Sequence, residues 1–124
     1  MAVQLDEQRA VLLGAREGEV LSGPRREIYV RYEGPEYEVL EFFCEPGFGP
    51  VDPHVHEDHT DSFFILEGEV EFTIGEEVVR AGPGTWVAAP PGVRHGFSIP
   101  GPEGAHFLNI HAPGDGFIGR LRGE

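Results

Sequence analysis

Residues 54–61 read HVHEDHTD, and this stretch carries most of what the sequence says about the fold and the site. His54 and His56 are two positions apart, so on an extended strand their side chains point to the same face. Asp61 closes the stretch, and His95 follows 39 residues after His56. Imidazole nitrogens and a carboxylate oxygen are ligands that suit divalent transition metals. The stretch therefore predicts a metal site that begins on a β-strand.

Short apolar runs separated by Gly and Pro fill the rest of the chain. The 18 Gly and 11 Pro stand between these runs as turn residues, and nine Phe join the Val and Ile that favour pleated surfaces. Strands are predicted at 27–32, 37–44, 62–66, 70–74, 78–80, 85–89, 95–99 and 106–111. Short strands about 8–12 residues apart indicate an all-β sandwich or small barrel.

The length of the chain suits one domain. We expect a single domain over residues 1–124, because 124 residues are close to the usual domain size. Residues 1–10 show the weakest strand pattern, and a turn of helix is an alternative for the stretch LDEQRAVLL, residues 5–13.

Composition and charge exclude several classes of function. A formal net charge of −13 disfavours nucleic acid and anionic membranes as partners, since phosphates need clustered basic residues. The chain has no Lys, which rules out Schiff-base chemistry through a lysine amine. No apolar run reaches the length of about 18 residues that a membrane span needs, and the first 20 residues lack a secretory core. Because Cys44 is the single cysteine, no internal disulfide can form, and a cytoplasmic location is expected.

Two spaced motifs make the chain resemble the cupins, specifically a small single-domain cupin. The first motif, at 49–68, consists of Gly49, His54, His56, Asp61 and Gly68. The second motif, at 84–99, consists of Gly84, Pro90, Gly92 and His95. Both motifs at the spacing usual for the family are a strong signal for the fold. The resemblance implies an all-β, cupin-type double-stranded β-helix, also called a jelly-roll barrel.

The sequence departs from the usual cupin pattern at three positions. Asp61 stands where Glu is usual, Ile99 stands where Asn is usual, and the loop between Gly49 and His54 is one residue short. An Asp carboxylate reaches about 1.5 Å less far than Glu, whereas a metal–oxygen bond tolerates only about 0.2 Å. Three arrangements remain open: the metal lies closer to the strand of Asp61, Asp61 binds through a water, or three imidazoles and solvent hold the ion.

The resemblance also implies a ligand set and a pocket. His54, His56 and His95 would be metal ligands, with Asp61 as the fourth, around one divalent ion of Mn, Fe, Ni, Co, Cu or Zn. Coordination positions left open by the protein are what a catalytic site needs. A pocket for a small-molecule ligand or substrate is expected beside the ion, and the side chains that line it or fill the core below are Phe63, Ile65, Val70, Phe72 and Phe97.

The remaining histidines and Cys44 have simpler interpretations. His59 lies in the same loop as the predicted ligands and is expected to be exposed, although it could substitute as a ligand. His106 and His111 are an odd number of residues apart, so they face opposite sides of one strand and at most one reaches the pocket. Each is expected to be hydrogen-bonded or exposed. Cys44 lies on an apolar face and is expected to be buried.

Three functions are open at this point. The first is a metal-dependent enzyme, for example a dioxygenase like the quercetinase-type cupins, in which Asp61 acts as general base once it leaves the metal. The second is a metal-assisted isomerase or decarboxylase with the same ligands and no O₂. The third is a non-enzymatic binding or sensing module. A homodimer is also predicted, because a small barrel leaves large apolar side chains incompletely buried, namely Phe42, Phe64, Leu66 and Trp86.

Overall fold

The computed structural model describes residues 2–4 and 10–124, which form strands and one short helix. In chain order the elements are β1 (Ala2–Gln4), β2 (Val11–Leu13), β3 (Val20–Gly23), β4 (Arg26–Glu33), β5 (Glu38–Cys44), β6 (Val51–His54), β7 (Thr60–Gly68), β8 (Val70–Ile74), β9 (Glu77–Ala81), β10 (Trp86–Ala89), β11 (His95–Ser98), β12 (Ala105–Ala112) and α1 (Phe117–Arg122). The alternative of a helical turn within residues 5–13 is wrong for Val11–Leu13, which is a strand, and residues 5–9 lie outside the described residues.

Two antiparallel sheets form the body of the fold. The larger sheet has the strand order β10-β7-β12-β5-β4-β3, and the smaller one has the order β6-β11-β8-β9. From β5 onward the chain passes back and forth between the two sheets, which is the path of a double-stranded β-helix. The predicted all-β jelly-roll architecture is therefore confirmed.

The core lies between the two sheets and is rich in phenylalanine. Phe42 and Phe107 of the larger sheet stack with their ring centroids 4.9 Å apart. Phe97 of the smaller sheet meets Phe107 edge-on at 5.6 Å, and Phe72 is fully buried. Burying each such side chain stabilises the fold by about 1.5–3 kcal/mol. These contacts hold the two sheets in a fixed relative position. They therefore also fix the relative positions of side chains at the edges of the sheets.

Strand β5 shows the predicted alternation, since every second side chain from Glu38 to Cys44 is buried. The prediction that Cys44 is buried is confirmed. Burial raises the pKa of the Cys44 thiol to about 12. The thiol therefore stays protonated at neutral pH and behaves as a small apolar side chain.

Helix α1 was not predicted from the sequence, and a buried carboxylate holds it against the barrel. Glu38 accepts two backbone N–H hydrogen bonds from the start of the helix, at 3.1 and 3.0 Å. Ile118 is fully buried under the helix. At the other end of the helix, Arg122 pairs with Glu19 and Glu33. Within residues 2–4 and 10–124, no helix has the length and apolar character required to cross a membrane.

The four apolar side chains singled out for incomplete burial differ in exposure. Phe42 belongs to the core, so the expectation was wrong for this residue, whose ring packs between the two sheets. Phe64 and Leu66 are half-buried, and Trp86 is 55% exposed. Trp86 and Phe64 face each other across β10 and β7, with ring centroids 6.2 Å apart. We call Phe64, Leu66 and Trp86 the outer patch, because they lie on the solvent side of the larger sheet.

Candidate metal centre

Strands β6 and β11 bring three histidines together. His54 is the last residue of β6, and His56 lies two residues beyond it, so the strand ends earlier than the sequence pattern suggests. The Nε2 atoms of His54 and His56 are nevertheless 3.1 Å apart. His95 begins β11 and is the register partner of His54, and the two ring centroids are 4.7 Å apart. The structure therefore places the three predicted imidazoles in one cluster.

Gly96 allows the two strands to approach closely enough for this cluster. A Cβ atom added at Gly96 would lie 2.5 Å from the carbonyl oxygen of Val51 and 2.7 Å from the nitrogen of Pro53. Any larger residue would push β6 away from β11. The separation of His54 and His95 thus depends on the absence of a side chain at Gly96.

Asp61 completes the cluster from the opposite sheet. It is the second residue of β7, so the expectation that it precedes the strand was wrong; pairing with His111 on β12 extends β7 back past it. Its Oδ2 atom lies 2.9 Å from Nε2 of His95 and 3.5 Å from Nε2 of His56. Burial alone would raise the pKa of Asp61, but hydrogen bonds from His56, His95 and Asn109 lower it well below its ordinary value. Asp61 is therefore a carboxylate at neutral pH.

The spacing of the donor atoms fits a metal ion. One ligand atom each from His54, His56, Asp61 and His95 lies within 4.8 Å of all the others. Bonds of about 2.0–2.2 Å to a central ion place neighbouring ligand atoms about 2.9–3.5 Å apart. The separations of 3.1, 2.9 and 3.5 Å fall in this range. Three nitrogens and an oxygen at these distances match the corners of a coordination polyhedron.

The ring orientations support the same conclusion. Nδ1 of His54 donates to the carbonyl oxygen of Asp52, and Nδ1 of His95 donates to that of Val93, both at 2.9 Å. A proton on Nδ1 leaves a lone pair on Nε2, the atom that points into the cluster. This is how second-sphere hydrogen bonds usually fix the tautomer of a metal-binding histidine. The donor set thus suits a divalent transition metal.

A chain of buried hydrogen bonds fixes the carboxylate of Asp61. Asn109 donates from Nδ2 to Oδ1 of Asp61 at 2.6 Å and accepts a hydrogen bond from Nε2 of His111 at 2.9 Å. Nδ1 of His111 in turn lies 3.0 Å from Nε2 of His59. Because Asn109 occupies Oδ1, the other oxygen of Asp61 is directed towards the histidines.

The protonation state of His111 follows from its surroundings. Burial lowers the pKa of His111 to about 4, so the ring is neutral at pH 7. Its single proton is on Nε2, where the side-chain oxygen of Asn109 accepts it. Nδ1 is therefore an acceptor, and His59 donates to it. The ring of Phe117 stacks on His111 at 4.4 Å and shields it from solvent.

His59 is the residue for which the sequence interpretation was wrong. It was expected to be exposed, but only 2% of its surface is accessible. The segment that leads into α1 covers it and places Asp115 3.4 Å from its Nε2 atom. Ligand-type atoms of His56, His59 and Asp115 form a second group within 4.8 Å. In this group, hydrogen bonds and ion pairs already engage His59 and Asp115.

His106 and His111 face opposite sides of β12, as predicted from their spacing. His111 is buried and lines the cavity beside the cluster. His106 lies on the outer face, stacks on Phe43 and bonds to Glu41 and Glu67. It takes no part in the cluster.

A cavity of about 220 Å³ opens beside the cluster. Its lining is mainly apolar, and two of the lining residues, Phe117 and Leu121, belong to α1. Phe97 lines the cavity as expected, whereas the other four residues named for this role belong to the core below, namely Phe63, Ile65, Val70 and Phe72. A wider, open groove of about 810 Å³ lies around the opposite end of β7, at Gly68, and contains none of the four cluster residues.

Sequence reasoning did not single out Arg26 or Asn109, and it left open whether His106 or His111 reaches this cavity. Arg26, Asn109 and His111 line it together with His54, His56 and Asp61. The sequence did carry a signal for Asn109 and His111, because both alternate in phase with Phe107. A strand that buries Phe107 in the core must also turn these two polar side chains inward.

Comparison with known proteins supports the fold independently. Residues 41–111 match the family model described as a cupin domain. The structure of KdgF from Halomonas sp. has a TM-score of 0.76 at 20% identity, covering 86% of this chain and 96% of that one. An RmlC-like cupin from Shewanella frigidimarina has a TM-score of 0.76 at 18% identity, covering 94% and 99%. A conserved protein with a double-stranded β-helix domain from Klebsiella pneumoniae is 29% identical, with a TM-score of 0.67 over 76% and 82%. A search of curated protein sequences gave no match to this chain.

Proposed function

The chain belongs to the cupin domain family, and we propose that it is a metal-dependent protein that binds and transforms a small organic molecule. The observation that carries this proposal is the position of the four-residue cluster at the wall of an apolar cavity. A structural metal site surrounds its ion with protein ligands, whereas a catalytic site leaves coordination positions open towards a substrate. The cluster belongs to the second kind, because it borders space that a ligand can enter.

In this proposal His54, His56, His95 and Asp61 hold one divalent ion of Mn, Fe, Ni, Co, Cu or Zn. Of the three arrangements open for Asp61, its separations of 2.9 and 3.5 Å from the imidazole nitrogens favour direct ligation. The low pKa of Asp61 also favours a ligand over a general base, since a weak base takes a proton poorly at neutral pH. Asn109 keeps the carboxylate turned towards the ion.

The remaining residues of the cavity orient the substrate and exclude water. Phe42, Phe48 and Phe97 offer flat apolar surfaces, and Phe117 closes one side. When bound, a transition metal supplies Lewis acidity or, for Fe, Mn, Ni, Co or Cu, a redox couple. Apolar, aromatic walls suit both an aromatic substrate and O₂, so we propose oxidation by O₂ as the first activity to test. A metal-assisted isomerase or decarboxylase is the second, and it is supported by the buried polar chain beside Asp61, whose groups could hold a proton.

Elemental analysis of the purified protein tests the metal. We expect about one ion per chain, its loss in His95→Gln, and its retention in His106→Gln, a matched change on the outer face. Absence of stoichiometric metal after exposure to each of the six ions would contradict the proposal.

Oxygen uptake separates the two activities. The metal-loaded protein is mixed with a panel of phenols and enols while dissolved O₂ is recorded. Uptake that depends on substrate supports the oxidation, and product formation without uptake supports the isomerase or decarboxylase. Ligand-induced stabilisation without turnover of any panel member would instead indicate a binding or sensing protein.

Three broader predictions accompany this proposal. They are a single domain over residues 1–124, a homodimer and a cytoplasmic location. The exposed outer patch supports the second of them.

A further inference from the structure

Arg26 is an inward-facing cation on the larger sheet. It begins β4 and alternates in phase with Ile28, whose side chain is fully buried, so both point to the inner face of the sheet. Within residues 2–4 and 10–124, the guanidinium of Arg26 makes no hydrogen bond or ion pair. The guanidinium of Arg94 likewise has no hydrogen bond or ion pair among these residues, but Arg94 is exposed to solvent. Six other arginines have acidic, carbonyl or aromatic partners, namely Arg16, Arg25, Arg31, Arg80, Arg120 and Arg122.

The side chain of Arg26 lies at the border between the metal cavity and the open groove at Gly68. Its backbone pairs with Cys44 on one side and Gly23 on the other. The side chain lies over Gly23, where an added Cβ atom would be 2.6 Å from Nε. Like His54 and Asp61, Arg26 lines the metal cavity, and it also lines the open groove, together with Gly23 and Cys44.

The cation and the cluster lie at different ends of this cavity. Arg26 aligns with Cys44, the last residue of β5, whereas Asp61 aligns through His111 with Glu38, the first residue of that strand. Apolar walls lie between the two ends. A ligand in the cavity therefore meets a fixed positive charge at one end, an aromatic surface along its length and the cluster at the other end.

A half-buried guanidinium without a partner is unfavourable unless something else satisfies it, because removing its water is not compensated by new hydrogen bonds. The chain has 22 acidic residues, yet none of those described is paired with Arg26. Carboxylates bind guanidinium in a planar, two-point geometry that neutral groups do not match.

We propose that this pocket selects small organic acids, whose carboxylate pairs with Arg26 and whose apolar part lies against Phe42 and Phe97. The inference deepens the proposed function, on which it rests, by naming the substrate class for the metal site. A volume of about 220 Å³ limits the ligand to one of roughly the size of phenylacetate.

Matched pairs of acid and amide test the inference. Isothermal titration calorimetry measures benzoate against benzamide, and phenylacetate against phenylacetamide, with the protein as purified and after metal removal by chelation. We expect each acid to bind at least about 10-fold more tightly than its amide, with and without metal. Arg26→Gln should abolish this preference, and Arg80→Gln, which removes the same charge from the outer face, should preserve it.

Three results would overturn the inference. These are an acid preference that persists in Arg26→Gln, a preference that disappears with the metal in the unmodified protein, and no binding of either acid at 10 mM. If Arg26→Gln does not fold, as judged by its melting temperature, Arg26→Met keeps an unbranched apolar side chain without the charge and gives the same readout. The metal content of each sample is measured separately. A metal-free protein with an Arg26-dependent acid preference would contradict the proposed function alone, and a metal-loaded protein without that preference would contradict this inference alone.

Discussion

Asn109 donates a hydrogen bond of 2.6 Å to Asp61, and the two residues lie on β12 and β7, which pair directly along their length. The amide of Asn109 also donates to the carbonyl oxygen of Ser62 at 3.0 Å, so its orientation is fixed from two sides. The carboxylate of Asp61 consequently has one oxygen engaged and the other directed at His95 and His56. The position of this predicted ligand depends on a residue that does not reach the cluster itself.

Replacing Asn109 by Ala should weaken metal binding. Loss of an outer-sphere hydrogen bond typically lowers metal affinity about 10- to 100-fold. The change also leaves buried polar atoms of Asp61 and His111 without a partner, which should cost about 1–3 kcal/mol of stability. Metal affinity is measured by competition with a chromophoric chelator, and unfolding by urea titration. His106→Ala, on the outer face of the same strand, serves as the control for metal affinity. An unchanged affinity in a folded Asn109→Ala protein would show that Asp61 needs no such support.

Metal affinity should fall as the pH is lowered from 8 to 6. In the metal-free protein burial would lower the pKa of His95, but its hydrogen bond to the Asp61 carboxylate raises it above the ordinary 6.5. A raised pKa means that the ring keeps its proton to a higher pH, so the metal must displace a proton in order to bind. Calorimetric titration of Zn²⁺ in buffers of different ionisation enthalpy should show proton release near neutral pH. Affinity that is constant over this range would contradict the ligand role of His95.

Glu41 should make stability depend on acid pH. Burial alone would raise its pKa, but hydrogen bonds with His106 and Arg31 outweigh burial and lower the pKa below the ordinary 4.5. A carboxyl whose folded pKa is lowered adds stability that is fully present above its unfolded pKa and is lost as the pH falls through the folded pKa. Glu41→Gln should therefore be less stable than the unmodified protein at pH 7, and the difference should shrink at pH 3. Equal differences in the free energy of unfolding at both pH values would rule out this linkage.

The outer patch should mediate association of two chains. Trp86 is 55% exposed and packs only partly on Phe64, so joining two such patches would remove apolar surface from water. We expect light scattering to report a dimer at micromolar concentration, and Trp86→Glu to shift it towards the monomer. Val78→Glu, on the edge strand β9, is a control of similar chemistry, because Val78 is 62% exposed and lies outside the patch. A single monomeric peak for the unmodified protein would refute the predicted dimer.

The fold was predictable because the turn residues and the spacing of the two motifs both indicate it. Gly68 is an example: it ends β7 with φ +76°, and a Cβ atom there would lie 2.1 Å from the carbonyl oxygen of Gly104. A glycine in that place therefore carries information about both the turn and the packing around it. The paired motifs also pointed to the four residues that the structure brings together.

The rest of the site depended on contacts that spacing does not encode. His59 looked exposed because its loop is polar, and only the covering segment with Asp115 makes it buried. Arg26 immediately precedes the predicted strand 27–32, and only the three-dimensional structure shows that residues 2–4 and 10–124 give its guanidinium no partner. Helix α1 follows an irregular Gly- and Pro-containing stretch, and its docking depends on the distant carboxylate of Glu38.

Helix α1 contributes Phe117 and Leu121 to the cavity but none of the four cluster residues. The dimensions of the cavity and the chemistry of the cluster are therefore encoded in different parts of the chain. Substitutions at these two positions change the shape of the space and keep all four donor residues. A small library at positions 117 and 121 is accordingly a direct route to retargeting this protein towards other molecules.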